Sequence, residues 1–314
     1  MLIAGDFDEM KVILDYYANI EKLLSPRTLL YWNHTGMWTT ETHHLSGAYT
    51  MGDYGCDRPA GYPVELEQSG YLHLDQGGDS GTGEYSLMVL DYFLWTNDTE
   101  ALVPYLSIAT QAAAYLMHHF SNRSDDGKVI VWPAQVLETW WCDYDVGVGI
   151  QNCCADDSPT ISAMHILFEK LLALPVSITN AADRLAWTQF QQILPDLPVI
   201  NNIIAPARVL SNGVHNDEGP ELYAIHPHRL YTKGRAVATG LDISIGLATF
   251  YASKFATENS GWNYGLNVAA LLGIADVAME NALARALTPP ASGYRFQGFA
   301  PHMQDFDPSA GIFF

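Results

Sequence analysis

The sequence predicts an all-α fold, a toroid of paired helices, on three observations. Apolar residues recur at helical spacing in one segment after another, period-two runs are few, and long connections rich in aromatic and polar residues alternate with short ones. Helix hairpins ringed about an axis would gather their long connections at one end, where residues distant in sequence share a pit. The expectation is one domain spanning residues 1–314.

Phe7, Met10, Val12, Ile13, Leu14, Tyr17, Ile20, Leu23 and Leu24 form the first apolar stripe, which Pro26 is expected to stop. An irregular stretch from 31 to 80 follows, holding Trp32, Trp38, Glu41, His43, His44, Tyr49 and Tyr54 among glycines. A loop this long is uncommon in a compact domain unless it builds a site. Tyr85, Met88, Val89, Tyr92 and Phe93 restart the helical spacing, and Thr96-Asn97-Asp98 ends it. Leu102, Tyr105, Leu106, Ala109, Ala113, Leu116, Met117 and Phe120 supply the next helix, so the two read as an antiparallel hairpin. Ser158-Pro159 has the N-cap and first-turn arrangement for a helix over 161–174. Another covers 181–194, and a proline-punctuated extended stretch leads to Leu210. Helices are expected again over 237–256, 266–272 and 275–286, where Pro289-Pro290 follows.

With 48% hydrophobic and 16% charged residues, the 314-residue chain can bury a sizeable core. Its 35 acidic and 15 basic residues leave a net charge of −20, a field that repels phosphate backbones, so nucleic acid is not an expected partner. No apolar run reaches the length of a membrane span, and Ile3-Ala4-Gly5-Asp6 does not read as the start of a signal peptide. Secretion or a periplasmic location would then require a leader upstream of a fragment. Of four cysteines, Cys142 can bridge to Cys153 or to Cys154; metal is disfavoured because no histidine sits at zinc-finger spacing. Three Asn-x-Ser/Thr sequons, at Asn33, Asn97 and Asn122, are within what chance allows.

The chemistry points to Trp132-Pro133-Ala134-Gln135-Val136-Leu137-Glu138-Thr139-Trp140-Trp141. A carboxyl among indoles is desolvated, which penalises its charged form and raises its pKa. Such an acid can protonate a leaving oxygen, and indole faces suit sugar rings. The bland alternative makes Glu138 a solvated loop acid and Trp140 and Trp141 lip residues. For a partner base, Asp217, Glu218 and Glu221 crowd within five residues, with Glu218 favoured and Glu41 the runner-up. Glu221 can instead cap a short helix. Glu84 opens a helix, where the positive dipole end accounts for an acid, and Asp79 is similar. His226 and His228 can share a face of an extended strand and bind metal, but Pro227 and Arg229 favour a sugar-binding or structural role. His43-His44 and His118-His119 are adjacent pairs whose members cannot point the same way on a helix. Trp32, Trp38, Trp140, Trp141 and Trp262 are candidate stacking platforms or core residues.

Several stretches resemble the six-hairpin, (α/α)6-barrel glycosidase superfamily, in particular its α-L-fucosidase type and a related uncharacterised bacterial branch. They are Gly81-Thr82-Gly83-Glu84-Tyr85 through Trp95-Thr96-Asn97-Asp98, Leu137-Glu138-Thr139-Trp140-Trp141, and Glu221-Leu222-Tyr223 through His228-Arg229-Leu230-Tyr231. Gly261-Trp262-Asn263 with Ala269-Ala270-Leu271-Leu272-Gly273, and Arg295-Phe296 through Phe306-Asp307-Pro308, extend the similarity over most of the chain. The resemblance implies an (α/α)6 toroid, incomplete at one or both ends and lacking the upstream β-sandwich of such enzymes. It implies a glycoside hydrolase acting on a poly- or oligosaccharide, inverting, without a cofactor or metal. Glu138 falls where the fucosidase type carries its general acid, while Glu218 stays the favoured base on the strength of the acidic run at 217–221. Trp38, Glu41, Glu84, Trp140, Trp141, Asp217, Glu221, His226 and Arg229 are the substrate-binding candidates. The family's His-Arg-His run and paired-Asn motif are absent here, which leaves the base and the sugar open. A polysaccharide lyase using Tyr223, His226, His228 and Arg229, and a non-catalytic carbohydrate-binding remnant, are the competing readings.

Overall fold

The computed structural model describes residues 2–39, 45–47, 81–137, 139–145, 149–212, 214, 218–256 and 265–287. Most of these residues are helical. The strands are two or three residues long and pair two by two, and no sheet closes among the described residues. The fold class is therefore all-α. No described helix is long and apolar enough to cross a membrane. The chain forms two compact units, Met1–Asp196 with Ala207–His215, and Leu197–Pro206 with Asn216–Phe314.

In the first unit, α1 (Phe7–Trp32) runs straight through Pro26, contrary to the expected stop. Proline removes one helix hydrogen bond, but the segment beyond it is tied into the core. The Thr28 hydroxyl donates to Leu24 O at 2.9 Å and accepts from Trp38 N at 2.9 Å. Asn33, in the left-handed conformation, ends the helix by donating to Leu29 O. Next comes α2 (Gly81–Thr96). The helix expected from Leu102 to Phe120 is broken in two. A short α3 (Thr99–Leu102), capped by Asp98, turns through a 3-10 segment at Pro104 into α4 (Leu106–His119).

Tyr105 donates to Asp15 at 2.7 Å and Ser107 to Glu21 at 2.9 Å, fastening α4 to α1. An ion pair of Lys170 with Asp91 fastens α2 to α5 (Ser158–Ala173). This helix is the most enclosed of the unit. Ile161, Met164, Leu167, Phe168 and Leu171 are all buried, each contributing about 1.5–3 kcal/mol. It packs on α6 (Ala181–Gln192), whose Trp187 and Phe190 close that side of the core. Antiparallel pairing of β3 (Ala155–Asp157) with β6 (Ala207–Val209) leads into α5, where Asp157 accepts from Thr160 N at 2.8 Å as the N-cap. A second pair, β1 (Asp143–Asp145) with β2 (Gly149–Gln151), lies beside it in sequence. Gly36 lets the loop after α1 lie against α4: at φ 122 its Cβ would fall 2.3 Å from Tyr115 N.

The second unit begins with a hairpin of β4 (Val199–Ile200) and β5 (Ile203–Ile204). Its two turn residues, Asn201 and Asn202, both have positive φ, which asparagine tolerates. The single helix expected over 237–256 is instead α7 (Lys233–Thr239) and α8 (Ser244–Ala252). Gly240 at φ 75 terminates the first, and Asp242 accepts from Ser244 N at 2.8 Å to start the second. With α9 (Gly265–Leu272) and α10 (Ala275–Leu287), they enclose Leu222, Ile225, Phe250, Phe255, Leu266, Val268 and Leu272.

Candidate functional site

In the first unit the tryptophan-rich stretch is a closed turn. Ala134 exchanges both backbone hydrogen bonds with Cys154, at 3.1 and 2.9 Å. Two residues on, Val136 and Trp140 do the same at 3.0 and 3.2 Å, and Thr139 N–H also donates to Val136 O. The chain therefore reverses between Val136 and Trp140. Leu137 holds φ 49, a left-handed conformation that costs a leucine roughly 1–2 kcal/mol. It stays there because its side chain is buried and the flanking residues are bonded to each other. Gln135, 1% exposed, accepts from Cys142 N at 3.2 Å. Its amide nitrogen is buried with no hydrogen-bond partner among the described residues. The Cys142–Cys153 disulfide resolves the choice of pairing and fastens the end of the turn. Cys154 is a buried free thiol, its pKa pushed up by that burial.

Glu138 falls inside this turn in sequence but outside the described residues, as do Glu41 and Asp217 among the site candidates and Asp79, His43, His44 and Trp262 beside them. Around the turn, Trp140 and Trp141 are half-buried and Trp132 is 47% exposed. Trp38 is different. It is 2% exposed and packs edge-on to Trp32 with ring centroids 5.6 Å apart, so it is a core residue and not an open stacking platform.

Glu84 sits in the first turn of α2, as expected. Its electrostatics are the reverse of the expectation. A helix dipole would hold the carboxyl low, whereas burial pushes it up to about 7. Its charge reaches Tyr17 of α1, which stacks on Tyr85 with ring centroids 3.7 Å apart and meets Tyr16 edge-on at 5.0 Å. Burial, then Tyr85, Tyr16 and the Glu84 charge together raise the Tyr17 phenol. Near neutral pH, Glu84 is thus a carboxyl able to donate a hydrogen bond. The tyrosine pair at 16 and 17 was the available signal, but nothing local ties it to residue 84.

A histidine cluster also forms that no local sequence pattern marks. His34 Nε2 lies 3.1 Å from His119 Nδ1, and His118 Nδ1 lies 3.1 Å from the Thr35 hydroxyl. The adjacent pair at 118 and 119 thus meets two neighbouring residues of one loop. Among the described residues no group of three His, Cys, Asp or Glu side chains is placed to hold a metal ion.

In the second unit, residues 218–231 bring several candidates together. Glu218 is half-buried and precedes the 3-10 turn Pro220–Leu222. Glu221 in that turn accepts from Ser253 Oγ at 2.8 Å. The extended strand expected to put His226 and His228 on one face is not formed. Residues 223–228 coil through successive turns, His226 N–H donating to Leu222 O and His228 N–H to Tyr223 O. His228 is 1% exposed and lies against Tyr223, which gives it a structural role. Asn267 Nδ2 donates to His226 Nε2 at 3.3 Å. Burial first, and the Arg229 charge second, lower His226 to about 4, so its imidazole is neutral at neutral pH. Arg229 itself is exposed and ends the coil at φ 59. Comparison of the chain with protein-family models and with curated proteins finds no match.

Proposed function

We propose that this protein is a glycoside hydrolase built on an (α/α)6 toroid and acting on a neutral poly- or oligosaccharide. The observation that carries the reading is the closed turn on either side of position 138, in which hydrogen bonds and a disulfide maintain a left-handed Leu137. Backbone strain of this kind concentrates where a side chain must be presented in one geometry. Here the side chain following the strained residue is the only carboxylate in a tryptophan-rich stretch.

In this reading Glu138, in the first unit, is the general acid that protonates the glycosidic oxygen in an inverting displacement. Trp132, Trp140 and Trp141 offer partly open indole faces to sugar rings. Glu84, about half protonated at neutral pH and more so below it, donates in its protonated form a hydrogen bond to a sugar hydroxyl, a contact that an ionised carboxylate cannot make. Replacing Glu138 by Gln is expected to lower kcat by roughly 10²–10⁴-fold on an oligosaccharide with a poor leaving group. Binding of the oligosaccharide should survive. Unchanged hydrolysis by E138Q would end the proposal.

One observation favours a second reading. His226 is neutral and within the influence of Arg229, and a polysaccharide lyase needs a base and a cation to neutralise a uronate. That enzyme would release products with the ultraviolet absorbance of unsaturated uronates and would tolerate E138Q. His226→Gln would abolish its activity.

A further inference from the structure

We infer that Asn33, Asn97 and Asn122 are N-glycosylated. Each begins an Asn-x-Ser/Thr sequon, at Asn33-His34-Thr35, Asn97-Asp98-Thr99 and Asn122-Arg123-Ser124. Each is solvent-exposed and falls just outside a helix: Asn33 after α1, Asn97 between α2 and α3, and Asn122 after α4. None lies where a glycan would have to displace packed side chains. Asn33 and Asn97 are held by their backbone alone, donating to Leu29 O at 3.1 Å and Phe93 O at 2.7 Å. The backbone carbonyl of Asn122 accepts from Ile130 N at 3.1 Å. The three carboxamides make no hydrogen bond among the described residues. Carboxamides that the fold does use, on Asn152, Asn180, Asn267 and Asn281, belong to residues with no hydroxyl two positions on.

An independent observation comes from the same unit. Disulfides such as Cys142–Cys153 are characteristic of oxidising compartments, and a secretory lumen is where sequons are also modified. The donor is a polyprenyl-diphosphate-linked oligosaccharide. The asparagine Nδ2 forms a bond to the anomeric carbon of the first sugar, and the bond from that carbon to the diphosphate oxygen breaks. The polyprenyl diphosphate leaves with the electron pair, and the amide proton passes to a base of the transferase. Transfer acts on the unfolded chain, so the later engagement of the Thr35 hydroxyl by His118 is no obstacle. The contact of His34 with His119 puts Asn33 and Asn122 at one end of the first unit. Tyr92 meets Tyr105 at the opposite end of α4, and Asn97 lies there. The glycans would therefore stand at both ends of α4.

The test is peptide mapping of the protein from the cells that make it, after peptide-N-glycosidase treatment in heavy-oxygen water. Heavy-oxygen aspartate in place of Asn33, Asn97 and Asn122 is expected. Thr35→Ala and Thr99→Ala keep the asparagine cap and are each expected to remove one step of electrophoretic mobility shift. Unmodified asparagine at the three positions overturns the inference, whether or not Cys142 and Cys153 are found paired.

Discussion

Glu84 offers a test that is independent of any enzymatic reading. Its carboxyl titrates near 7 in the folded protein against an ordinary value of 4.5. A group whose folded pKa is raised binds its proton more tightly in the folded state. Its contribution is fully present below about 4.5 and is lost as pH climbs to about 7. At about 1.36 kcal/mol per pH unit, the full interval corresponds to about 3 kcal/mol. Part of the residue reaches water, so about 1–3 kcal/mol is the expected range. Glu84→Gln mimics the protonated form at every pH. In denaturant titrations from acid to mildly alkaline pH, followed by tryptophan fluorescence, the two proteins should be nearly equal in stability at acid pH. The variant should draw ahead as the wild type ionises, and the gap should stop growing above about pH 7. A gap that does not change with pH would show that Glu84 is not desolvated, and the argument from burial would fail.

Other outcomes follow from the same geometry. Leu137→Ile keeps the buried volume but puts a β-branch at φ 49, and should cost about 1–3 kcal/mol, read by thermal melting together with activity. Replacing both Cys142 and Cys153 by serine opens a loop with a sequence separation of 11 and should cost about 3 kcal/mol. Faster hydrogen exchange at the Val136 and Trp140 amides would report the loosened turn. Gly36→Ala forces a methyl into the α4 backbone at Tyr115 and should destabilise the first unit by several kcal/mol (~3 or more), seen as a drop in Tm.

Much of the helical content could be read from the chain because periodicity is local. The stripes of α2, α4, α5, α6, α9 and α10 need only neighbours three or four positions away to be recognised. Helix ends were less legible. Pro26 is a stop signal by its own chemistry, yet α1 continues because Thr28 is bonded to Trp38. Gly240 was an available stop signal inside the long apolar stretch from 237 to 256, and its positive φ is what divides α7 from α8. Sequence restricted the disulfide to Cys142 with one of two neighbours, and the fold paired it with Cys153.

The site divides in the same way. Residue types and their order were enough to single out the tryptophan-flanked stretch, the carboxylates at 84, 218 and 221, and an all-helical scaffold, since each depends on chemistry carried along the chain. The ionisation of Glu84, the neutrality of His226, the loss of Trp38 to the core and the closed turn about position 138 could not be read there. Each depends on how much water is removed by side chains brought from elsewhere in the chain, and desolvation is a property of the folded environment, not of the residue.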